Sequence, residues 1–250
     1  ATGRGQNRLS KLKDKYIYES LDITSKEAVD DIVKKYKPVV IIHTAAMTNV
    51  DQCELEKENC WVQNVVATRN IAEAARDNQA FLVHLSTDFI FDGTKGPLAE
   101  DEKAAPLSFY GYSKLAAEEI VTKMEGLKWA IARTVLVYGI AEDMSRTNII
   151  LWVKKSLEEK KTIKVVDDQF RTPTLAEDLA MGCYLIAEKG AEGVFNISGK
   201  DFLTPLEMAY KTADFFKLDK SFITKADSTT FTQPAKRPPR TGFIIDKAKS

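Results

Sequence analysis

The sequence is poor in the residues that build metal sites and disulfide frameworks. It contains two histidines and three cysteines among 250 residues, and Cys53, Cys60 and Cys183 are scattered without metal-ligand spacing. A structural zinc site is therefore not expected, and no metal is assigned. Reduced, buried thiols of the kind found in cytoplasmic proteins are the expectation instead.

Net charge and long apolar runs are also lacking. The 36 basic side chains are balanced by 36 acidic ones, which argues against a broad surface for nucleic acid or anionic membrane. No apolar run approaches the roughly 20 residues of a membrane-spanning helix, and no signal peptide opens the chain. We therefore expect a cytoplasmic protein with neither nucleic-acid nor membrane partners.

Predicted strands and helices alternate along the chain. Residues 39–43 and 80–85 are continuous apolar runs typical of parallel strands covered on both faces. Helices are predicted over residues 58–78 and 110–123 from their apolar spacing. The alternation predicts an α/β fold with a doubly wound parallel sheet and right-handed crossovers.

Ligands of such sheets bind outside the carboxyl ends of the strands. Three segments of small or polar residues follow predicted strands, namely residues 44–46, 86–88 and 137–139, and we expect them to converge on one edge. Beyond residue 140 the alternation loosens. Residues 1–140 are predicted to carry the sheet, and residues 141–250 mainly a smaller lobe that closes over the cleft, with segments returning to the sheet.

The glycine-rich opening does not read as a phosphate-binding loop. The strand predicted over residues 16–22 follows residues 1–5 too closely for a crossover connection. We interpret residues 1–4 as the end of a second strand, and expect the first strand, its glycine loop and its helix to lie outside this chain. In dinucleotide-binding sheets, the residue at the end of the second strand contacts the adenosine ribose. Arg4 would stand at that position, where an arginine in place of an acidic residue favours the extra phosphate of NADP. A solvated Arg4 is the alternative, and both interpretations stay open.

Tyr110 and Lys114 are four residues apart at the start of a predicted helix, on one face. A phenol with a pKa near 10 is a poor acid or base at neutral pH. A cation about 4 Å away, at an effective dielectric near 20, supplies about 4 kcal/mol, or about three pKa units. Because Ser86 and Thr87 lie at a strand end just upstream, the pair is a candidate for general acid–base catalysis.

The chain resembles the extended short-chain dehydrogenase/reductases, and within them the dTDP-4-dehydrorhamnose reductase family. The resemblance spans nearly the whole chain and rests on these segments: 45–54, 85–93, 105–114, 169–174 and 236–238. It implies a Rossmann-type fold in which residues 1–140 bind a dinucleotide. It also implies reduction of the 4-keto group of a deoxysugar nucleotide by NADPH, with NADH as the alternative cofactor, and it leaves a homodimer open.

Roles for individual residues follow from the resemblance. Thr87 would orient the substrate carbonyl, Tyr110 would be the proton donor, and Lys114 would assist it and hold the nicotinamide ribose. The resemblance implies these further cofactor contacts: Arg4, Asp22, Ile23, Ala45, Ala46 and Ser86. It implies these contacts to the sugar nucleotide: Thr48, Val50, Asp88 and Arg237.

Other interpretations compete with these roles. Asp88 could cap a turn, Arg237 could be a solvated charge, and Arg171 could replace Arg237 at the diphosphate. Asn64 is expected to brace backbone groups, and His43 to be packed. For the whole protein, the alternatives are a sugar-nucleotide epimerase or dehydratase, or a non-catalytic regulatory subunit like that of methionine adenosyltransferase.

Overall fold

The computed structural model describes residues 1–8, 14–140 and 147–250. The elements of the first half are, in chain order, β1 (Thr2–Gly3), β2 (Glu19–Ser20), α1 (Lys26–Tyr36), β3 (Val40–His43), α2 (Val50–Leu55), α3 (Lys57–Trp61), α4 (Ala67–Asp77), β4 (Phe81–Thr87), α5 (Phe109–Lys123), β5 (Trp129–Thr134) and β6 (Val137–Tyr138). Those of the second half are α6 (Ile149–Glu158), β7 (Ile163–Val166), β8 (Thr174–Leu175), α7 (Ala176–Lys189), β9 (Gly193–Asn196), α8 (Pro205–Phe216), β10 (Ile223–Ala226) and α9 (Asp246–Lys249).

The main sheet is parallel, in the order β3-β4-β5-β9. Together with the helices packed on it, this sheet confirms the predicted α/β fold. The strands β1 and β2 form a separate parallel pair. A cavity of about 500 Å³, lined by side chains such as Ile17, Ile41 and Ile71, lies between that pair and β3.

Apolar clusters cover both faces of the sheet. On one face, residues of α1, α4 and α5 such as Val29, Ile71 and Val121 pack against Leu82 and Ile131. On the other face, α7 packs against the same strands. Burial on both faces explains why β4 appears in the sequence as a continuous apolar run, whereas β3 is less covered than predicted, with Ile42 44% exposed.

The second half contributes a smaller apolar unit and a strand of the main sheet. The parallel pair β7 and β10 packs against α6 and α8 around a core of its own, while β9 lies at the edge of the main sheet beside β5. The predicted boundary after residue 140 borders residues 141–146, which are outside the described residues, so the division stays a prediction. Within the described ranges, no helix is long and apolar enough to cross a membrane.

Local signals in the sequence explain most of the element boundaries. The hydroxyl of Ser25 accepts a hydrogen bond from the backbone of Ala28 and caps α1, as expected of a serine just before a helix. Thr204 forms a capping box at the start of α8. The helix predicted over residues 58–78 is instead divided by a π-helical turn, Val62–Val66, between α3 and α4. The elements α2, β8, β10 and α9 were not predicted from the sequence.

Candidate active site

The end of β4 carries the first part of the site. Thr87 is the last residue of the strand, and its side chain accepts a hydrogen bond from the backbone of Phe89 at 3.3 Å. This bond caps the single 3-10 turn Asp88–Ile90, in which the chain turns away from the sheet. Because Thr87 is 7% exposed, its hydroxyl lies in a largely water-excluded position at the carboxyl edge of the sheet.

Helix α5 carries the second part of the site and is anchored at its start. The Ser108 hydroxyl caps the helix by accepting from the Gly111 backbone at 3.2 Å. The backbone N–H of Phe109 donates to the Glu54 carboxylate at 2.9 Å. Gly111 packs directly on the Phe89 carbonyl, since a Cβ placed on Gly111 would lie 2.1 Å from that oxygen. The first turn of α5 therefore lies against the 3-10 turn that follows Thr87.

This packing brings Tyr110 and Thr87 together. The Tyr110 phenol lies close enough to the Thr87 hydroxyl for the two to interact, and the Tyr110 ring packs edge-on against Phe89 with centroids 5.8 Å apart. Burial raises the pKa of the Tyr110 phenol above its ordinary value, and the interaction with Thr87 opposes this shift. The phenol is therefore protonated at neutral pH.

The side chain of Lys114 is buried on the same helix, one turn after Tyr110. Its ammonium donates to the Leu85 carbonyl at 2.8 Å and lies 3.2 Å from Nε2 of His84. Burial lowers the pKa of Lys114 to about 8, against the opposing effect of Glu118. The hydrogen bonds of this ammonium thus go to β4. Burial leaves the Tyr110 pKa raised, whereas the sequence-based argument expected a phenol pKa lowered by this lysine.

Asn64 fixes the loop after β3 against α5, as the sequence analysis expected of a bracing residue. Its amide accepts from the Met47 backbone at 2.7 Å and donates to the Met47 carbonyl at 3.1 Å. It also donates to the Ser113 hydroxyl at 2.9 Å. Because Asn64 lies in the π-helical turn, the irregular turn is what presents this amide to both neighbours.

The segment that follows β3 is open at the same edge. Thr44, Ala45 and Thr48 are exposed, and Ala46 and Val50 are half-buried. The loop residues thus present small side chains and accessible backbone at the carboxyl edge of the sheet.

The residues predicted at the adenosine end lie together after β1 and β2. Arg4 follows β1 and is exposed, and its charge lowers the pKa of Asp22, although hydrogen bonds from Thr24 are the larger cause. The loop that carries Ile23 is held by Asn70, whose amide donates to the Ile23 and Thr24 carbonyls at 3.1 and 3.2 Å. The sequence analysis missed Asn70, and no signal in α4 distinguishes it from a surface residue.

Asp88 is enclosed by protein groups. Its carboxylate accepts from Thr87 at 3.1 Å and from Thr241, and it lies 3.6 Å from Nε of Arg171. Burial raises the pKa of Asp88, and the charge of Arg171 opposes that shift. Arg171 also donates to the Pro238 carbonyl at 2.7 Å. Both Arg171 and Asp88 therefore bind the C-terminal segment, residues 235–241, to the end of β4.

Arg237 is paired within the protein. It binds both carboxylate oxygens of Asp51, at 3.1 and 2.7 Å, and donates to the Ala235 carbonyl at 3.0 Å. The partner Asp51 lies in the first turn of α2, next to Val50. Arg237 thus closes the C-terminal segment over the loop that follows β3, and the solvated-charge interpretation is wrong.

Comparisons with known proteins agree with this architecture. A Xenopus laevis methionine adenosyltransferase 2 subunit beta is 34% identical over 82% of this chain and 63% of that protein. A dTDP-4-keto-6-deoxy-D-glucose reductase of Streptomyces niveus is 31% identical over 87% of this chain and 75% of that protein. The crystal structure of dTDP-4-dehydrorhamnose reductase from Bacillus anthracis in complex with NADP is 27% identical, with a TM-score of 0.88 over 99% of this chain and 91% of that one.

The chain thus covers less than two thirds of the methionine adenosyltransferase subunit, and nearly all of the aligned reductase structure. The family model described as the RmlD substrate binding domain matches residues 6–250. That match includes the end of β4, the start of α5 and the C-terminal segment that Arg171 and Arg237 hold in place. The chain belongs to the RmlD substrate-binding-domain family.

Proposed function

We propose that the protein is an NADPH-dependent reductase of the 4-keto group of a deoxysugar nucleotide. The observation that carries the proposal is the proximity of the Thr87 hydroxyl and the Tyr110 phenol, two buried groups that interact at the carboxyl edge of the sheet. Two hydroxyl donors that lie this close can both reach one further oxygen atom, as the reduction of a carbonyl requires. The family relationship to reductases of dTDP-linked keto sugars supports the choice of substrate class.

In this proposal Tyr110 is the proton donor. Addition of a hydride to the keto carbon moves the carbonyl electron pair onto oxygen, and the alkoxide formed takes the phenol proton of Tyr110. The raised pKa keeps that proton on Tyr110 until the alkoxide forms. Thr87 donates a hydrogen bond to the same oxygen, which requires its hydroxyl to rotate away from Asp88. The phenolate then regains a proton from water.

The residues at the carboxyl edge of the sheet fit a dinucleotide. Ala45 and Ala46 have small side chains that leave backbone groups accessible, and we assign them to the pyrophosphate and ribose. The Ser86 hydroxyl is buried without a hydrogen-bond partner within the described residues, which suits a position beside the nicotinamide. When bound, the reduced nicotinamide supplies the hydride. Lys114 has an ammonium hydrogen left for the ribose.

The adenosine end is assigned to the loops after β1 and β2. We assign Asp22 and Ile23 to the adenine, and Arg4 to the extra phosphate of NADP, because its guanidinium is exposed beside Asp22. Replacing Arg4 with alanine should weaken NADPH binding about ten-fold and leave NADH binding unchanged. Equal loss for both cofactors in a fluorescence titration would remove this role of Arg4.

The substrate end is assigned to the loop after β3. Thr48 and Val50 would flank the sugar, since both lie beside the segment that Asn64 fixes against α5. Asp88 would act by orienting Thr87, because its oxygens are engaged by protein groups. Arg237 would contact the diphosphate only by exchanging one of its bonds to Asp51.

The test is oxidation of NADPH by a dTDP-4-keto-6-deoxy sugar, followed by the absorbance of the reduced nicotinamide. Wild-type protein should turn over, and Tyr110→Phe should lose at least about 100-fold in kcat with NADPH affinity within a few-fold of wild type. Thr87→Val is the second variant and should lose about 10²-fold. Wild-type protein that binds both ligands but shows no turnover would refute the reductase assignment.

A second candidate function is favoured by the 34% identity to a methionine adenosyltransferase subunit. In that case the protein would bind the catalytic chain of methionine adenosyltransferase instead of acting as an enzyme. Analytical ultracentrifugation of a mixture with that catalytic chain distinguishes the two. A stable complex together with absent keto-sugar reduction would favour the regulatory role, and turnover without a complex would favour the reductase.

A cytoplasmic location and a homodimer belong to the same proposal. The three cysteines are free and buried, which suits a reducing compartment. On the outer side of α5, Tyr112 is 52% exposed and stacks on Trp61, giving an apolar surface on which a second copy could pack. Light scattering of Tyr112→Glu beside wild type tests this, since a dimer through that face should dissociate in the variant.

A further inference from the structure

The ammonium of Lys114 is held by two acceptors on one strand. Its hydrogen bond to the Leu85 carbonyl is 2.8 Å long, and the distance to Nε2 of His84 is 3.2 Å. His84 and Leu85 are successive residues of β4, so they approach the ammonium from one rigid element. An ammonium has three hydrogens. Two acceptors therefore fix its position and leave one hydrogen for a ligand.

The contact with His84 also defines the state of the imidazole. An ammonium can only donate, so Nε2 of His84 must be the acceptor and Nδ1 must carry the hydrogen. His84 is 1% exposed, and Nδ1 has no hydrogen-bond partner within the described part of the chain. An unpaired buried donor lowers stability. A histidine at this position is thus unfavourable for stability, and its Nε2 contact is the interaction that a phenylalanine could not provide.

We propose that His84 is a positioning residue that holds the Lys114 ammonium, charged and correctly placed, at the nicotinamide end of the site. The inference rests on the proposed function only in assigning Lys114 to the reduction.

The charged and titratable groups around Lys114 determine how loss of the His84 contact should change the pH dependence of turnover. His84 and His43, whose rings are 5.2 Å apart and tilted, lie near the lysine on β4 and β3, and burial keeps both neutral, lowering the pKa of His43 to about 3. Glu118 on α5 and Cys60 on α3 raise the pKa of Lys114, but less than burial lowers it to about 8. Burial raises the pKa of Tyr110 on α5, so this phenol stays protonated at the pH at which Lys114 titrates.

Glu118 itself is ion-paired with Arg133, whose Nε and Nη2 donate to the two carboxylate oxygens at 3.0 and 2.7 Å. His84 is therefore the contact whose removal should change the titration of Lys114 without exposing an unpaired charge. Removing a hydrogen-bond acceptor of the ammonium lowers the lysine pKa further.

The kinetic experiment compares His84→Phe, His84→Gln and His43→Gln in the keto-sugar assay from pH 6 to pH 10. With charged Lys114 as the active form, the alkaline decline in kcat should move about one pH unit lower in His84→Phe, so that turnover at pH 8 falls roughly five-fold. His84→Gln keeps an acceptor and should restore the wild-type profile. His43→Gln is the matched control, because His43 bonds to Thr68 and not to Lys114. An unshifted profile for folded His84→Phe would overturn the proposal.

A second measurement is independent of turnover. Because the chain has two histidines, nitrogen–proton correlation spectra of the imidazoles contain two sets of signals, assigned with His43→Gln. His84 should be neutral at pH 6 with its hydrogen on Nδ1, and its Nε2 shift should follow the titration of Lys114 and lose that pH dependence in Lys114→Met. A hydrogen on Nε2, or an Nε2 shift indifferent to Lys114→Met, would overturn the inference. These spectra decide it even where the reductase assay fails, so the two failures are distinguishable.

Discussion

The placement of α5 against the end of β4 depends on Gly111, and its replacement by alanine is the sharpest test of the site geometry. A Cβ at this position would lie 2.1 Å from the Phe89 carbonyl oxygen and 3.1 Å from Pro106, while real Cβ atoms essentially never approach within 3.0 Å. The oxygen belongs to backbone and cannot rotate away. The helix would have to move by about 1 Å relative to the 3-10 turn.

Two energies of opposite sign determine the effect on stability. Alanine in place of glycine within a helix gains about 1 kcal/mol in intrinsic propensity. Forcing an extra methyl group into a packed contact costs about 1–3 kcal/mol, and the larger value applies because the obstacle is backbone. We expect Gly111→Ala to lower the free energy of unfolding by about 2 kcal/mol. Since Tyr110 and Thr87 lie on the two elements that separate, kcat should fall about 100-fold.

Urea unfolding measures the loss in the free energy of unfolding, and keto-sugar-dependent oxidation of NADPH measures the loss in kcat. Ala116→Gly on the same helix is the matched control, because it reverses the propensity change without a clash. It should lose about 1 kcal/mol of stability with kcat unchanged. If Gly111→Ala were as stable as wild type and fully active, the close approach of α5 to Phe89 would not position the site.

Three further predictions concern the residues around the site. Arg171→Met should lower the free energy of unfolding by about 3–5 kcal/mol in urea, because it leaves the buried Asp88 carboxylate without its cation, and adding Asp88→Asn should recover part of the loss. Asn64→Ala should cost about 3 kcal/mol in the same assay, since it leaves the partly buried backbone N–H and carbonyl of Met47 and the buried Ser113 hydroxyl without this partner; a loss below about 1 kcal/mol would contradict its bracing role. Arg237 lowers the pKa of Asp51, so the stability that wild type holds over Asp51→Asn should be full above about pH 5 and vanish as the pH falls through the lowered pKa. A pH-independent difference in thermal unfolding would contradict it.

The local part of the site could be predicted from the sequence. The runs of β3 and β4 identified strands, of which β4 is buried as predicted, and the spacing of Tyr110 and Lys114 identified one face of α5. Strand ends and helix faces follow from periodicities of two to four residues. Signals of that length are contained in the segment itself, which is why these elements lie close to where the sequence put them.

The partners of the charged residues could not be predicted. Asp51 and Arg237 are 186 residues apart, and Asp88 and Thr241 are 153 apart. No local pattern marks either pair, because the contact exists only after the C-terminal segment has folded back over the β3 and β4 ends. The resemblance assigns Asp88 and Arg237 to the sugar nucleotide, and the structure adds that both also pair within the chain, with Thr241 and Asp51 respectively.

The partners of the Lys114 ammonium also could not be predicted from local sequence. Their identity changes what can be said of the effect of this lysine on the pKa of Tyr110. Spacing of four residues fixes the direction of the two Cβ atoms, but a lysine ammonium lies four carbons further and takes the acceptors within its reach. Here these are the Leu85 carbonyl and His84. The phenol of Tyr110 then keeps the raised pKa that burial gives it, which suits a proton donor. Once the proton has left, the buried phenolate is the species that needs a cation one helical turn away. In the proposed mechanism, the charge of Lys114 would therefore assist Tyr110 after the proton transfer and not before it.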